Sequence, residues 1–132
     1  MEMNLLESTR KSLVTDRVKT LEDAYAELDI SGHISLKATE NLVDLLPFLG
    51  NMTNATVVTA ALNEGWKPNW DNDSERKWYP YFDMRTKSFS LLGVYARYED
   101  SSVPSRLCFK SRDLAEYAIT QFYELYKSLF LS

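Results

Sequence analysis

Few side chains in this sequence could do covalent or proton-transfer chemistry. His33 is the only histidine and Cys108 the only cysteine. A nucleophilic Cys–His pair needs the two within hydrogen-bond reach and a depressed thiol pKa. His33 follows Gly32 in a polar turn, whereas Cys108 lies between Leu107 and Phe109 in a stretch that reads as a strand. The expected role of Cys108 is that of a small packed hydrophobe. No nucleophile-elbow glycine pattern surrounds any serine. Asp71, Asp73 and Glu75 have the spacing of the first ligands of a calcium loop. Arg76, however, stands where that loop needs glycine, and Phe82 where it needs a bidentate glutamate. One cysteine and one histidine make no zinc site without carboxylate help. The four glycines never cluster, so no phosphate-cradling loop is expected. The expectation is a non-enzymatic protein with no metal and no cofactor.

Two patterns point to binding instead. The first is GWKPNWDNDSERKWYPYFDM, which places three tryptophans, two tyrosines and a phenylalanine within residues 66–82. Aromatic rings dominate cores, and that is one reading. The other is a protein-partner surface, because Trp, Tyr and Arg are enriched at interfaces. Trp70, Tyr79, Tyr81 and Tyr98 are the candidates for it, lying in the loop or opposite the expected core face. The second pattern is charge. The net charge is −4, yet residues 65–112 hold 9 Lys/Arg against 6 Asp/Glu, while residues 1–64 hold 5 against 10. Within this basic island, Lys77, Arg85, Lys87, Arg97, Lys110 and Arg112 are candidates for a nucleic-acid surface. A helix, three strands and a helix is also the order of double-stranded RNA-binding domains. Those domains place basic residues at the start of the last helix. Here Lys110 and Arg112 run into Asp113 and Glu116. With a negative net charge as well, nucleic acid is the alternative to a protein partner.

The elements that position these residues follow from periodicity. Val18, Leu21, Tyr25 and Leu28 recur at helical spacing, and Thr20 with Asp23 resembles a capping box, which predicts a helix over Leu21–Leu28. Ser31-Gly32 marks a turn. A helix is expected over Leu36–Leu46, ended or kinked by Pro47, with Gly50-Asn51 a further break. The next helix is capped by Thr53 or Asn54 and ends at Gly65. Lys77–Met84 reads as a strand with Trp78, Phe82 and Met84 on the core side, and Pro80 makes it an edge strand or bulged. Arg85–Ser88 is a hairpin loop. Phe89–Glu99 is the second strand, with Phe89, Leu91 and Tyr95 on one face and Leu92, Val94 and Tyr98 on the other. Gly93 signals a bulge or a close approach. Ser105–Lys110 is expected as a third strand. Ser111 then caps a long helix, Arg112–Phe130, carrying the stripe Leu114, Ala118, Phe122, Leu125 and Leu129. The fold class is therefore α+β: N-terminal helices, a three-stranded antiparallel sheet and a long C-terminal helix packed on it. The chain is expected to form one domain, with residues 1–15 loosely held, 16–65 helical, and 66–132 holding the aromatic loop, strands and last helix.

The remaining bounds concern location. No apolar run approaches membrane-spanning length, so no membrane association is expected. The start, MEMNLLESTRKSL, lacks a basic region leading into an apolar one, so no secretion signal is expected. A single cysteine suits a reducing, cytoplasmic setting. The edge strand with Pro80 needs cover, which leaves homodimerisation open.

A group of motifs also carries a family likeness. They are Ala61-Leu62-Asn63-Glu64-Gly65-Trp66-Lys67-Pro68 with Trp70, Trp78-Tyr79-Pro80-Tyr81-Phe82, Ser105-Arg106-Leu107-Cys108-Phe109-Lys110-Ser111, and Leu114-Ala115-Glu116-Tyr117-Ala118 with Gln121-Phe122 and Leu125-Tyr126. On these motifs and Arg17–Leu28 the chain resembles a set of small uncharacterised proteins carried by phages and integrated mobile elements of gut bacteria. Members tend to have a glycine-rich stretch between the first two strands, where this sequence has Arg85-Thr86-Lys87-Ser88. The resemblance implies an origin, a small accessory protein of a mobile element in the bacterial cytoplasm, and no activity.

Overall fold

The computed structural model describes residues 12–28 and 36–131. His33 and the Ser31-Gly32 turn lie outside the described residues. So do residues 1–11, most of the stretch expected to be loose. Of the remainder of that stretch, Val14 is already in the core.

The element order is α1 (Val14–Arg17), α2 (Leu21–Leu28), α3 (Leu36–Leu45), α4 (Pro47–Asn63), β1 (Lys77–Asp83), β2 (Ser90–Arg97), a 3-10 turn at Ser105–Leu107, α5 (Arg112–Gln121) and α6 (Tyr123–Leu131). Helices and strands are mixed, as an α+β reading requires. The caps are local and follow the sequence. Asp23 N–H donates to Thr20 Oγ1 (3.1 Å), and Thr20 N–H returns to Asp23 Oδ2 (3.1 Å), closing the capping box of α2. These backbone bonds, that from Lys19 N–H first among them, hold the Asp23 carboxyl below its ordinary pKa. Ser111 Oγ accepts from Leu114 N–H (3.2 Å) at the start of α5.

The expected break at Gly50-Asn51 is absent. Pro47 occupies the first turn of α4, where its missing N–H costs nothing, and the helix runs through to Asn63. Gly50 serves packing, not chain reversal. A Cβ there would stand 2.5 Å from the Val43 backbone nitrogen, so glycine is what lets α3 fold back onto α4. Thr53, Thr56 and Thr59 do not cap. Each hydroxyl donates 2.8 Å to the carbonyl four residues earlier. At the far end Glu64 (φ 49°) and Gly65 (φ 89°) turn the chain in left-handed conformations.

The sheet has two strands, not three. β1 and β2 pair antiparallel, Lys77 with Arg97 through Asp83 with Ser90. The expected third strand reduces to one bridge, in which Trp78 and Phe109 exchange N–H···O bonds of 3.0 and 2.7 Å. Two residues along, the same ladder would set Pro80 opposite Leu107. Pro80 has no N–H to give, and Leu107 N–H donates instead to Pro104 O within the 3-10 turn. On the other side Asn63 stands in for a strand. Its amide donates to Cys108 O (2.9 Å) and accepts from Lys110 N–H (3.0 Å).

The long C-terminal helix is also two helices. Phe122 leaves helical geometry (φ −115°, ψ 35°), although Ala118 O still accepts its N–H and its own carbonyl accepts from Tyr126 N–H. The step serves two packing surfaces, since α5 lies on the hairpin and α6 lies along α4. The stripe residues Leu114, Ala118, Phe122 and Leu129 are buried, as are Ala115, Ile119 and Tyr126. All but Leu129 close on Val58, Leu62, Phe82, Phe89, Val94 and Phe109, the centre of the core, while Leu129 packs with Ala55 and Leu107.

Candidate binding face

The face of the hairpin turned away from α5 is built by β1 and β2 register. Tyr79 pairs with Tyr95 and Tyr81 with Gly93. Side chains alternate along a strand, so Tyr79, Tyr81, Tyr95 and Arg97 share that face. Gly93 presents no side chain between them, and the Tyr95 ring comes to 4.0 Å of where a Cβ would stand. Tyr81 meets Tyr95 edge-on at 5.1 Å between centroids, and Tyr79 lies 6.5 Å from Tyr95. Together with Ala96 these residues line one shallow depression. Arg97 Nε donates to the Tyr79 hydroxyl (3.3 Å), and this contact, with Asp100 at 4.0 Å, holds the guanidinium above its ordinary pKa. Tyr81 and Tyr95 are about half exposed, at 51% and 50%.

Of the four aromatic candidates, the structure brings Tyr79 and Tyr81 together on this face. Tyr79 is only 5% exposed, so the expectation of an open ring there is corrected: it supports the cluster from beneath. Trp70 is committed elsewhere, its indole N–H donating to Ser105 Oγ (2.7 Å) while Lys77 Nζ sits 5.3 Å over its ring. The Tyr98 hydroxyl accepts from Arg76 Nε (3.0 Å). Tyr95 was missed. The plain alternation of β2 assigns it to the core with Phe89 and Leu91. The register breaks between Tyr81 and Phe82, where Gly93 and Leu91 are the successive partners, and Leu92 is left over. That extra residue turns Val94 inward and Tyr95 outward. Gly93 was the available signal. Met84, expected on the core side of the first strand, lies just past the end of β1 and is exposed.

The basic candidates do not form an open cationic surface. Lys77 is completely buried, against the expectation of a phosphate contact. The loop 69–76 and the end of β2 close over it, and it donates to Asn72 O (2.8 Å) and Tyr98 O (2.6 Å). Arg85 forks onto Asp83, and that contact first of all holds the Asp83 carboxyl well below the usual carboxylate range. Lys110 meets Glu64 (3.6 Å) and Arg112 meets Glu116 (2.9 Å). Lys87 is exposed and makes no ion pair among the described residues.

Cys108 is fully buried, and burial pushes its thiol pKa up, the opposite of what a nucleophile needs. Glu75, one of the alternate acids, is engaged by Asn69 N–H (2.8 Å) and by Lys77 (3.5 Å). Among the described residues no three His, Cys, Asp or Glu side chains meet closely enough to hold a metal. No helix among them is long and apolar enough to cross a membrane. Comparison with protein-family models, with curated proteins and with solved structures found no match to the chain.

Proposed function

We propose that this chain is a small non-enzymatic accessory protein of a phage or mobile element, which captures a protein partner on the tyrosine face of its hairpin. The observation that carries the reading is the cluster of Tyr79, Tyr81 and Tyr95 beside Arg97, with two rings half exposed over the strand pair. Tyrosine gives large contact area for little lost side-chain freedom, and a neighbouring arginine supplies charge-assisted hydrogen bonds. A second copy of the chain is one partner of this chemistry. The origin rests on the motif resemblance, and a cytoplasmic setting on the single, buried cysteine.

The test is paired. Tyr81→Ser with Tyr95→Ser removes two exposed rings, so the melting temperature should stay close to that of the parent. Immobilised parent and variant are then exposed to lysate of a bacterial host, and each is run by sedimentation for self-association. Proteins held by the parent and released by the variant, or a dimer lost in the variant, support the reading. Identical retention by both, with no change in self-association, would sink it.

A further inference from the structure

A second concavity lies away from the tyrosine face and shares no residue with it. The left-handed pair Glu64-Gly65 folds the chain back at the end of α4, and Trp66 N–H bonds to Asn63 O (3.0 Å). This makes a strap of Trp66, Lys67 and Pro68 along the helix and leaves a cleft of about 470 Å³. That volume is within the range that holds a small ligand. Its apolar surface comes from Leu28, Ala60, Trp66 and Pro68.

The polar groups on its wall are mostly spent within the protein. Thr56 and Thr59 donate to Met52 O and Ala55 O. The Asn63 amide is used at both ends by the 108–110 backbone. Ser105 Oγ accepts from Trp70, and its own proton is donated to no group among the described residues. Two cations remain, Lys67 and Arg106. Both line the cleft, both are exposed, and neither makes an ion pair among the described residues. Among the described residues no carboxylate lines the cleft. In a chain of net charge −4, these two cations and the serine hydroxyl beside an apolar cavity select for negative charge. The apolar wall in turn calls for a carbon body behind that charge.

We propose that this cleft binds a small monocarboxylic acid with an apolar body, a medium-chain alkyl or an aryl-alkyl acid. The carboxylate is held by Lys67, Arg106 and the Ser105 hydroxyl, and the hydrocarbon lies against Trp66, Leu28 and Ala60. The proposal is independent of the partner-binding face.

Calorimetric titration of the full chain tests it, with octanoate and indole-3-acetate as acids, octanol as the neutral isostere, and acetate as the charge without a body. Saturable binding of either acid is expected, with octanol and acetate each weaker by about tenfold or more. The exposed double substitution Lys67→Gln with Arg106→Gln should weaken the acid by about tenfold and leave octanol unchanged. Ala60→Phe, which fills the cavity, should abolish binding of both. The proposal is overturned if neither acid binds saturably, if octanol or acetate matches the acids, or if the double variant binds them as the parent does. Because the Tyr81/Tyr95 variant leaves this cleft intact, it should bind the acids normally whatever becomes of the partner.

Discussion

Lys77 has no exposed side-chain surface, yet it is bonded as a charge. Its ammonium has three protons to place. Asn72 O and Tyr98 O take two, and the Glu75 carboxylate stands 3.5 Å away. The Trp70 ring caps the group from one side. One side chain thus ties the 69–76 loop to the end of β2, and it orders the loop without any strand or helix of its own. Removing the amine leaves two carbonyls and a carboxylate short of a donor, and such losses are expensive. Lys77→Met keeps the stem and removes the charge. Glu75 is partly solvated, so the expected cost sits at the low end for a broken buried pair, about 3 kcal/mol. Urea denaturation measures it. A change near zero would mean that the loop is held by its turns alone, Asn72 N–H to Asn69 O among them. The alternation of β1 does put Lys77 on the outward face, as a sequence reading has it. Outward from the sheet is simply not outward from the protein once the loop folds over.

At the scale of elements, α4 is the centre of the molecule. It contacts α1, α2, α3, α5 and α6, and only the side carrying Met52, Thr53, Thr56 and Ala60 is partly open. The open side carries no charged residue, so the helix shows no polar stripe. Its pattern of small and β-branched residues therefore reads as weak, whereas the striped terminal helix reads as the organiser. Gly50 tests the packing directly. Alanine should gain about 1 kcal/mol in helix propensity. Its Cβ would meet Val43 backbone, which cannot swing aside as a side chain could, and overpacking of this kind costs about 1–3 kcal/mol. Gly50→Ala is expected to destabilise by about 1–2 kcal/mol on balance, read as a lowered urea midpoint at constant m-value. A gain in stability would show that α3 can lift off α4 freely. The features legible in the sequence were those decided within a few residues: the Thr20–Asp23 box, the Ser111 cap, the turn at Gly65, the two paired strands. Those that were not legible depended on partners far along the chain. Pro80 stops a third strand only because Leu107 would face it. Tyr95 reaches the tyrosine face only because the β1 register leaves Leu92 unpaired. The helix breaks at Phe122 because its two halves rest on different surfaces.

Over the whole molecule the charge pattern matters more than its sum. Residues 65–112 hold nine basic side chains, and five of them, Lys77, Arg85, Arg97, Lys110 and Arg112, have a carboxylate within 4.0 Å. Glu64 is a hub, meeting Arg17 (2.7 Å) as well as Lys110, and Arg17 is held above its ordinary pKa by Glu27 first and Glu64 next. The basic island is thus largely neutralised where it stands. Lys67, Arg76, Lys87 and Arg106 are the four without an ion pair among the described residues, and Arg76 lies over the Trp78 ring and bonds Tyr98. Counterion release scales with the phosphates actually neutralised. Four free cations allow a slope of log K against log salt no steeper than about −4, where all nine would allow about −8. Anisotropy of labelled duplex RNA and duplex DNA across a salt series should therefore show weak binding at low salt, gone by physiological salt. A slope near −8 would mean that nucleic acid pulls Arg85, Lys110 and Arg112 away from their carboxylates. Double-stranded nucleic acid would then replace a protein as the proposed partner of this chain.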